Sequence, residues 1–221
     1  MCGGAGSRNF AVPVRFPYIA GGITTRKKFD QVYQFKIALA GAKPPIWRRI
    51  QVPETYTFWD LHVAIQDAMG WGDGHLHEFE MVDPSTGSVV HIGTPVEDFG
   101  RELLLEHRRK IAKYFSMENR SAEYVYDFGD NWEHEIQLEK ILPREKGAVY
   151  PICIKGRRAC PPEDCGGLWG YVDILDALED PDNEEYEGLL GWVGEDFDPK
   201  HFDRAEVSFS DPDKRFKFMF G

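Results

Sequence analysis

The sequence predicts an α+β fold: a mostly antiparallel sheet with a packed helix and a helical C-terminal lobe. Three observations predict it. Several runs alternate apolar and polar residues with the two-residue period of half-buried strands. One run, Phe58 to Met69, repeats its apolar residues at helical spacing, and the periodic segments beyond Gly167 are all helical. With 221 residues and 42% hydrophobic content, the chain is long enough for one substantial core.

Residues 1–30 open with Met1-Cys2-Gly3-Gly4-Ala5-Gly6-Ser7, hold no sustained period and read as a flexible leader. A single domain follows over residues 31–210, and residues 211–221 read as a C-terminal tail. Tyr33, Phe35, Ile37 and Leu39 share one strand face until Lys43-Pro44-Pro45 breaks the run. Ile46, Ile50 and Val52 give a second strand, ended by Pro53. Thr57 is placed to cap the helix with Asp60 three residues on, and Gly70 supplies its stop. His75 to Val82 alternates next, with His75 and His77 on one face, and a turn through residues 83–87 returns the chain along Val89 to Ile92. Leu103-Leu104-Leu105 reads as the close of a strand, and His107 to Phe115 as a short basic helix.

The stretch Tyr124 to His134 stands out. Strand-forming Tyr, Val and Trp flank a turn of Gly129, Asp130 and Asn131, so a hairpin should bring Asp127, Asp130 and His134 together among four aromatic rings. Trp132, His134, Ile136 and Leu138 occupy the inward face of its second strand. Val149 to Ile154 is the last predicted strand, ahead of a loop over residues 155–167 dense in Cys, Pro, Gly and charge. Tyr171 to Leu178, with Val172, Leu175 and Leu178 on one side, and Glu184 to Trp192 form the helical lobe, separated at Pro181.

A formal net charge of -11 opposes general adhesion to nucleic acid or anionic membranes. The basic groups Arg48-Arg49, Arg108-Arg109-Lys110 and Arg157-Arg158 read as solvated faces or carboxylate partners. No run approaches the roughly 18 to 20 uninterrupted apolar residues of a membrane span, which predicts a cytoplasmic protein with no membrane partner. Four cysteines, three of them from Cys153 to Cys165, do not form a secreted disulfide framework and favour free thiols or metal ligands.

The candidate residues fall into three sets. Cys153, Cys160 and Cys165, with His75, His77 or His134 as a fourth ligand, can be arranged for zinc, although the spacing lacks the short knuckle of structural zinc sites. His75 and His77 with Asp127, Asp130 and His134 would suit manganese, iron or zinc if they converge. Otherwise these histidines satisfy buried hydrogen bonds, and the carboxylates fix their tautomers. Glu163 and Asp164 beside Asp127 and Asp130 are acid/base candidates, or else acceptors for the backbone N–H groups of their own loop. Covalent catalysis by Cys160 with His134 lacks a helix N-terminus to activate the thiol. Trp47, Trp71, Tyr126 and Trp132 fit core packing better than base stacking.

Taken in order, four motifs carry a resemblance: Ile46-Trp47-Arg48-Arg49-Ile50; Ala64 to Trp71 with His75-Leu76-His77-Glu78-Phe79; Tyr126 to His134; and Ala159-Cys160-Pro161-Pro162-Glu163-Asp164-Cys165-Gly166-Gly167. Together they resemble the plasmid pRiA4b ORF-3-like family over about Tyr33 to Ser208. The resemblance implies an α+β domain of bacterial and archaeal proteins, often plasmid-borne or near mobile elements, with no established biochemical activity. It also implies that Cys165 stands where the family commonly has another residue. The expected function is a binding or interaction module for a small molecule or protein, with a polar His/Asp/Cys cleft and a divalent metal such as zinc as its candidate cofactor. The alternatives are a metal-dependent hydrolase using the His/Asp cluster and a DNA-processing accessory protein, the latter opposed by the acidity.

Overall fold

A computed structural model describes residues 28–94, 102–180, 182–194 and 196–221. Most of the leader predicted over residues 1–30, and Pro181, lie outside the described residues. Among the described residues, eight strands form one sheet: β1 (Gln31–Leu39), β2 (Trp47–Pro53), β3 (His77–Val82), β4 (Val89–Gly93), β5 (Leu104–Leu105), β6 (Ser121–Tyr126), β7 (Trp132–Pro143) and β8 (Ile152–Arg157). Their order across the sheet is β5-β4-β3-β6-β7-β1-β2-β8. Every pair is antiparallel except the short parallel match of β4 with β5. The fold is therefore α+β, as its alternating runs predict.

Helix α1 (Phe58–Met69) lies on the inner face, where Phe58, Leu61 and Ile65 join Phe35, Phe79, Tyr124 and Ile136 in the core. Its N-terminus is a full capping box. Thr57 Oγ1 accepts from Asp60 N at 3.2 Å, and Asp60 Oδ2 accepts from Thr57 N at 2.8 Å. Gly70 ends the helix in the left-handed conformation, φ 91°, which costs glycine no Cβ clash. Replacing Thr57 with alanine is expected to lower unfolding free energy by about 1 kcal/mol, read as a shift of the urea midpoint with no change of slope.

Three predicted elements shift. β8 starts at Ile152 rather than Val149, because Pro151 has no N–H to give the ladder. Helix α2 (Gly167–Glu179) starts earlier than predicted and buries Tyr171, Ile174 and Ala177, leaving Val172 exposed. Two apolar stripes lie one residue apart on this helix, so its period alone does not choose the buried one. The predicted basic helix near His107 is instead a pair of single 3-10 turns, Glu106–Arg108 and Ile111–Lys113. Helix α3 (Tyr186–Val193) buries none of its residues.

The stretch read as a tail forms helix α4 (Pro212–Phe220), capped by the Asp211 side chain. It packs on the back of α1, where Trp59 Nε1 donates to Pro212 O at 2.9 Å and Phe216 and Phe220 stand edge-on to the Trp59 ring. Covered on both sides, α1 buries even His62 and Gln66. Of the basic groups, Arg48 is a core residue that donates to Ala68 O at 2.8 Å, and Arg49 pairs with Glu139 at 2.6 Å. Among the described residues no helix is long and apolar enough to cross a membrane.

Candidate functional site

The β6–β7 hairpin turns through residues 127–131, with Asp127 and Asn131 at φ 55° and 54°, a left-handed backbone that Asp and Asn tolerate better than most residues. Asp127 Oδ1 accepts from Gly129 N at 2.9 Å. That bond leaves Oδ2 facing His75, whose Nδ1 lies 3.7 Å away. On its other side, His75 Nε2 is 3.1 Å from Asp164 Oδ1, in the loop that leads to α2. Three separate segments thus converge at His75. Ligand atoms of His75, Asp127 and Asp164 all lie within 4.8 Å of one another. Asp127 is nearly buried, His75 is partly exposed and Asp164 is exposed, so the trio opens to solvent.

The loop is tied to the hairpin at further points. Asp130 Oδ2 accepts from Gly166 N at 3.1 Å. Glu163 accepts from Tyr126 OH at 2.6 Å and from Gly72 N at 2.7 Å. Burial and the adjacent Glu163 carboxylate push the Tyr126 hydroxyl well above its ordinary pKa, so it stays a donor. Gly167 is obligatory here, since a Cβ on it would meet Asp130 O at 2.3 Å. Trp71 Nε1 reaches up from beneath to Pro161 O at 2.9 Å. Asp130 and Glu163 therefore tie the two loops together, while Asp127, Asp164 and His75 form a polar cluster between them.

The other predicted residues lie elsewhere. His134 points into the core, edge-on to Trp71 at 5.3 Å, with Nδ1 donating to Trp132 O at 2.9 Å. Its Nε2 is buried with no hydrogen-bond partner among the described residues, and burial lowers its pKa to about 4. Cys153, Cys160 and Cys165 are free thiols. Among the described residues they group neither with one another nor with a histidine at metal-binding distance. Burial pushes the thiols of Cys160 and Cys165 up to about 12. A thiol so firmly protonated is a poor nucleophile.

His77 does not share a set with His75, because β3 begins at His77 while His75 belongs to the preceding loop. His77 instead faces the core, its Nε2 2.6 Å from Glu106 Oε2. Its ring stacks on His62, with centroids 3.3 Å apart and planes 4° from parallel. His62 in turn reaches Asp73 through Nε2 at 2.7 Å and Tyr124 OH through Nδ1 at 2.8 Å. None of His62, Asp73 and Glu106 is singled out by strand periodicity. A helical wheel carries the signal for His62, which falls one turn after Phe58 on the apolar stripe of α1. A third group, on the outer sheet face, joins His91 to Glu78 at 2.9 Å and to Glu80 at 3.5 Å.

The family described as plasmid pRiA4b ORF-3-like protein matches residues 31–206, most of the chain. The chain belongs to that family. The uncharacterized protein y4hQ of Sinorhizobium fredii (strain NBRC 101917 / NGR234) is 36% identical over 186 residues, covering 83% of this chain and 89% of its own length. The crystal structure of a protein of unknown function, MM3350 from Methanosarcina mazei Go1, is similar with a TM-score of 0.78 and 53% identity, covering 82% of this chain and 100% of that one. The family match ends before α4.

Proposed function

We propose that this pRiA4b ORF-3-like protein is a binding module that takes a divalent cation in the cleft between the β6–β7 turn and the loop entering α2. One observation carries the reading: His75 lies between the carboxylates of Asp127 and Asp164, brought together from three chain segments. One imidazole with two carboxylates is a donor set suited to manganese, iron or zinc. Asp130 and Glu163 support the reading by holding the two loops in place through backbone N–H groups rather than by entering the set.

The rival reading, a metal-dependent hydrolase drawing on His75, His77, Asp127, Asp130 and His134, has less support. His77 is bonded to Glu106, His134 is turned into the core, and the Asp130 carboxylate accepts from Gly166 N. Manganese titration by calorimetry, after treatment with chelator, tests the binding reading. Wild-type protein is expected to bind one Mn²⁺ in the cleft, and His75→Ala or Asp164→Asn to weaken it by more than about tenfold, about 1.4 kcal/mol. Absence of binding by the wild type at millimolar Mn²⁺, or binding unaltered by both substitutions, would remove the proposal.

A further inference from the structure

We propose that the outer face of α2, with α3 beside it, is a docking surface for a basic amphipathic helix of a partner protein. Helical spacing assembles the face. Along α2, Trp169, Val172, Asp173, Asp176 and Glu179 share one stripe and all five are exposed, whereas Tyr171, Ile174 and Ala177 are buried on the other side. Trp169 is 83% exposed, more than any other large apolar residue among the described residues. A tryptophan can bury about 150 to 250 Å², so a covering partner gains much from this one ring. The neighbouring helix is similarly open. Tyr186, Leu189, Leu190 and Val193 follow at helical spacing along α3, yet none of them is buried.

Charge selects the occupant. Residues 159–199 contain thirteen Asp and Glu and neither Lys nor Arg, whereas the rest of the chain holds 24 acidic and 26 basic residues. The negative charge of the protein is therefore concentrated on the segment that forms α2 and α3. A field of that sign repels nucleic acid and anionic membranes. It also opposes a second copy of this chain, because a two-fold contact would press one acidic face against another. A segment bearing Lys or Arg is attracted instead.

The order within the stripe sets what that segment must carry. An apolar anchor is needed over Trp169 and Val172, at the N-terminal end of α2, and basic side chains one to two turns further along to meet Asp173, Asp176 and Glu179. A helix that presents both at i, i+3, i+4 and i+7 satisfies the two requirements together. A Lys or Arg lying over the Trp169 ring adds a cation–π contact. None of these residues belongs to the set of His75, Asp127 and Asp164, so the surface stands independently of the cleft.

The probe is a fluorescein-labelled Lys/Leu peptide with helical amphipathic spacing, titrated with the full chain and followed by anisotropy. Its control is a peptide of the same composition, scrambled so that no apolar stripe forms. Wild-type protein is expected to bind the amphipathic peptide at least about tenfold more tightly than the scrambled one, and Trp169→Ala to weaken it by more than about tenfold, as loss of a central aromatic anchor does. Because Trp169 is exposed, the alanine variant should keep the wild-type urea midpoint. A second variant, Asp173→Asn with Asp176→Asn and Glu179→Gln, should bind more weakly at low salt and lose most of the salt dependence. Equal binding of the two peptides would reduce the effect to adsorption of a polycation and overturn the proposal. So would no binding at about 0.1 mM peptide, or an affinity unchanged by Trp169→Ala. A dimer in sedimentation that Trp169→Ala dissolves would assign the face to a second copy and likewise overturn it.

Discussion

Replacing Trp71 with alanine is expected to lower stability by about 3 to 5 kcal/mol, the usual cost of emptying a buried aromatic site, and to loosen the cleft at the same time. Trp71 stacks on Tyr126 at 5.2 Å, lies 5.7 Å from the Trp132 ring and meets the edge of His134. Its indole N–H also holds Pro161 O, in the loop that carries Asp164. The residue thus joins the core to the candidate site. Trp71→Phe keeps most of the packing and gives up the bond to Pro161, so a loss nearer 1 to 2 kcal/mol is expected. Urea unfolding followed by circular dichroism separates the two. An alanine variant that loses less than 1 kcal/mol would show that Trp71 is not this joint.

Acidification is expected to destabilise the protein in two stages, the first set largely by His134. Burial holds this ring neutral, with its pKa lowered to about 4, whereas in the unfolded chain it titrates at about 6.5. Between those values the unfolded chain binds the proton and the folded one does not, so stability falls as pH falls, by about 3 kcal/mol in all from this group. Below about pH 4 both states are protonated and the contribution is constant. His62, likewise lowered by burial, acts in the same direction. Asp73 and Glu106 form the second stage. Despite burial, their histidine partners and Arg215 hold Asp73 below the usual carboxylate range, and His77 and Thr94 do so for Glu106. Their stabilisation is present above the unfolded carboxylate pKa and is lost as pH falls through the lowered folded value. Substituting His134 with asparagine, whose amide can donate to Trp132 O as Nδ1 does, should flatten the first stage when unfolding is measured at pH 7, 5.5 and 4. Identical slopes for both proteins would refute the assignment.

Much of the fold is legible in the chain because its strands are half-buried. Along β7, Trp132, His134, Ile136 and Leu138 are buried while Glu133 and Glu135 are exposed, so a one-residue slip would turn the whole set to water. The α1 boundaries are legible for a local reason as well: Thr57, Asp60 and Gly70 satisfy the helix ends with groups a few residues away. The convergence of the hairpin turn with the loop at residues 160–167 is legible only as an expectation. Its members come from sequence positions 75, 127 and 164, and nothing local fixes their distance.

What the sequence determined by itself is the α+β class, the hairpin at Tyr124 to His134 and the inward facing of His134. These follow from periodicity, turn chemistry and composition, which act over a few residues. The tertiary structure decided which candidates meet. It separated His75 from His77 by starting β3 between them, placed Cys153, Cys160 and Cys165 in no shared ligand group among the described residues, and laid α4 over α1 so that His62, Asp73 and Arg215 share one buried network. Such outcomes depend on contacts between residues far apart in sequence, as with Arg215 and Asp73, and no local pattern encodes a separation of that kind.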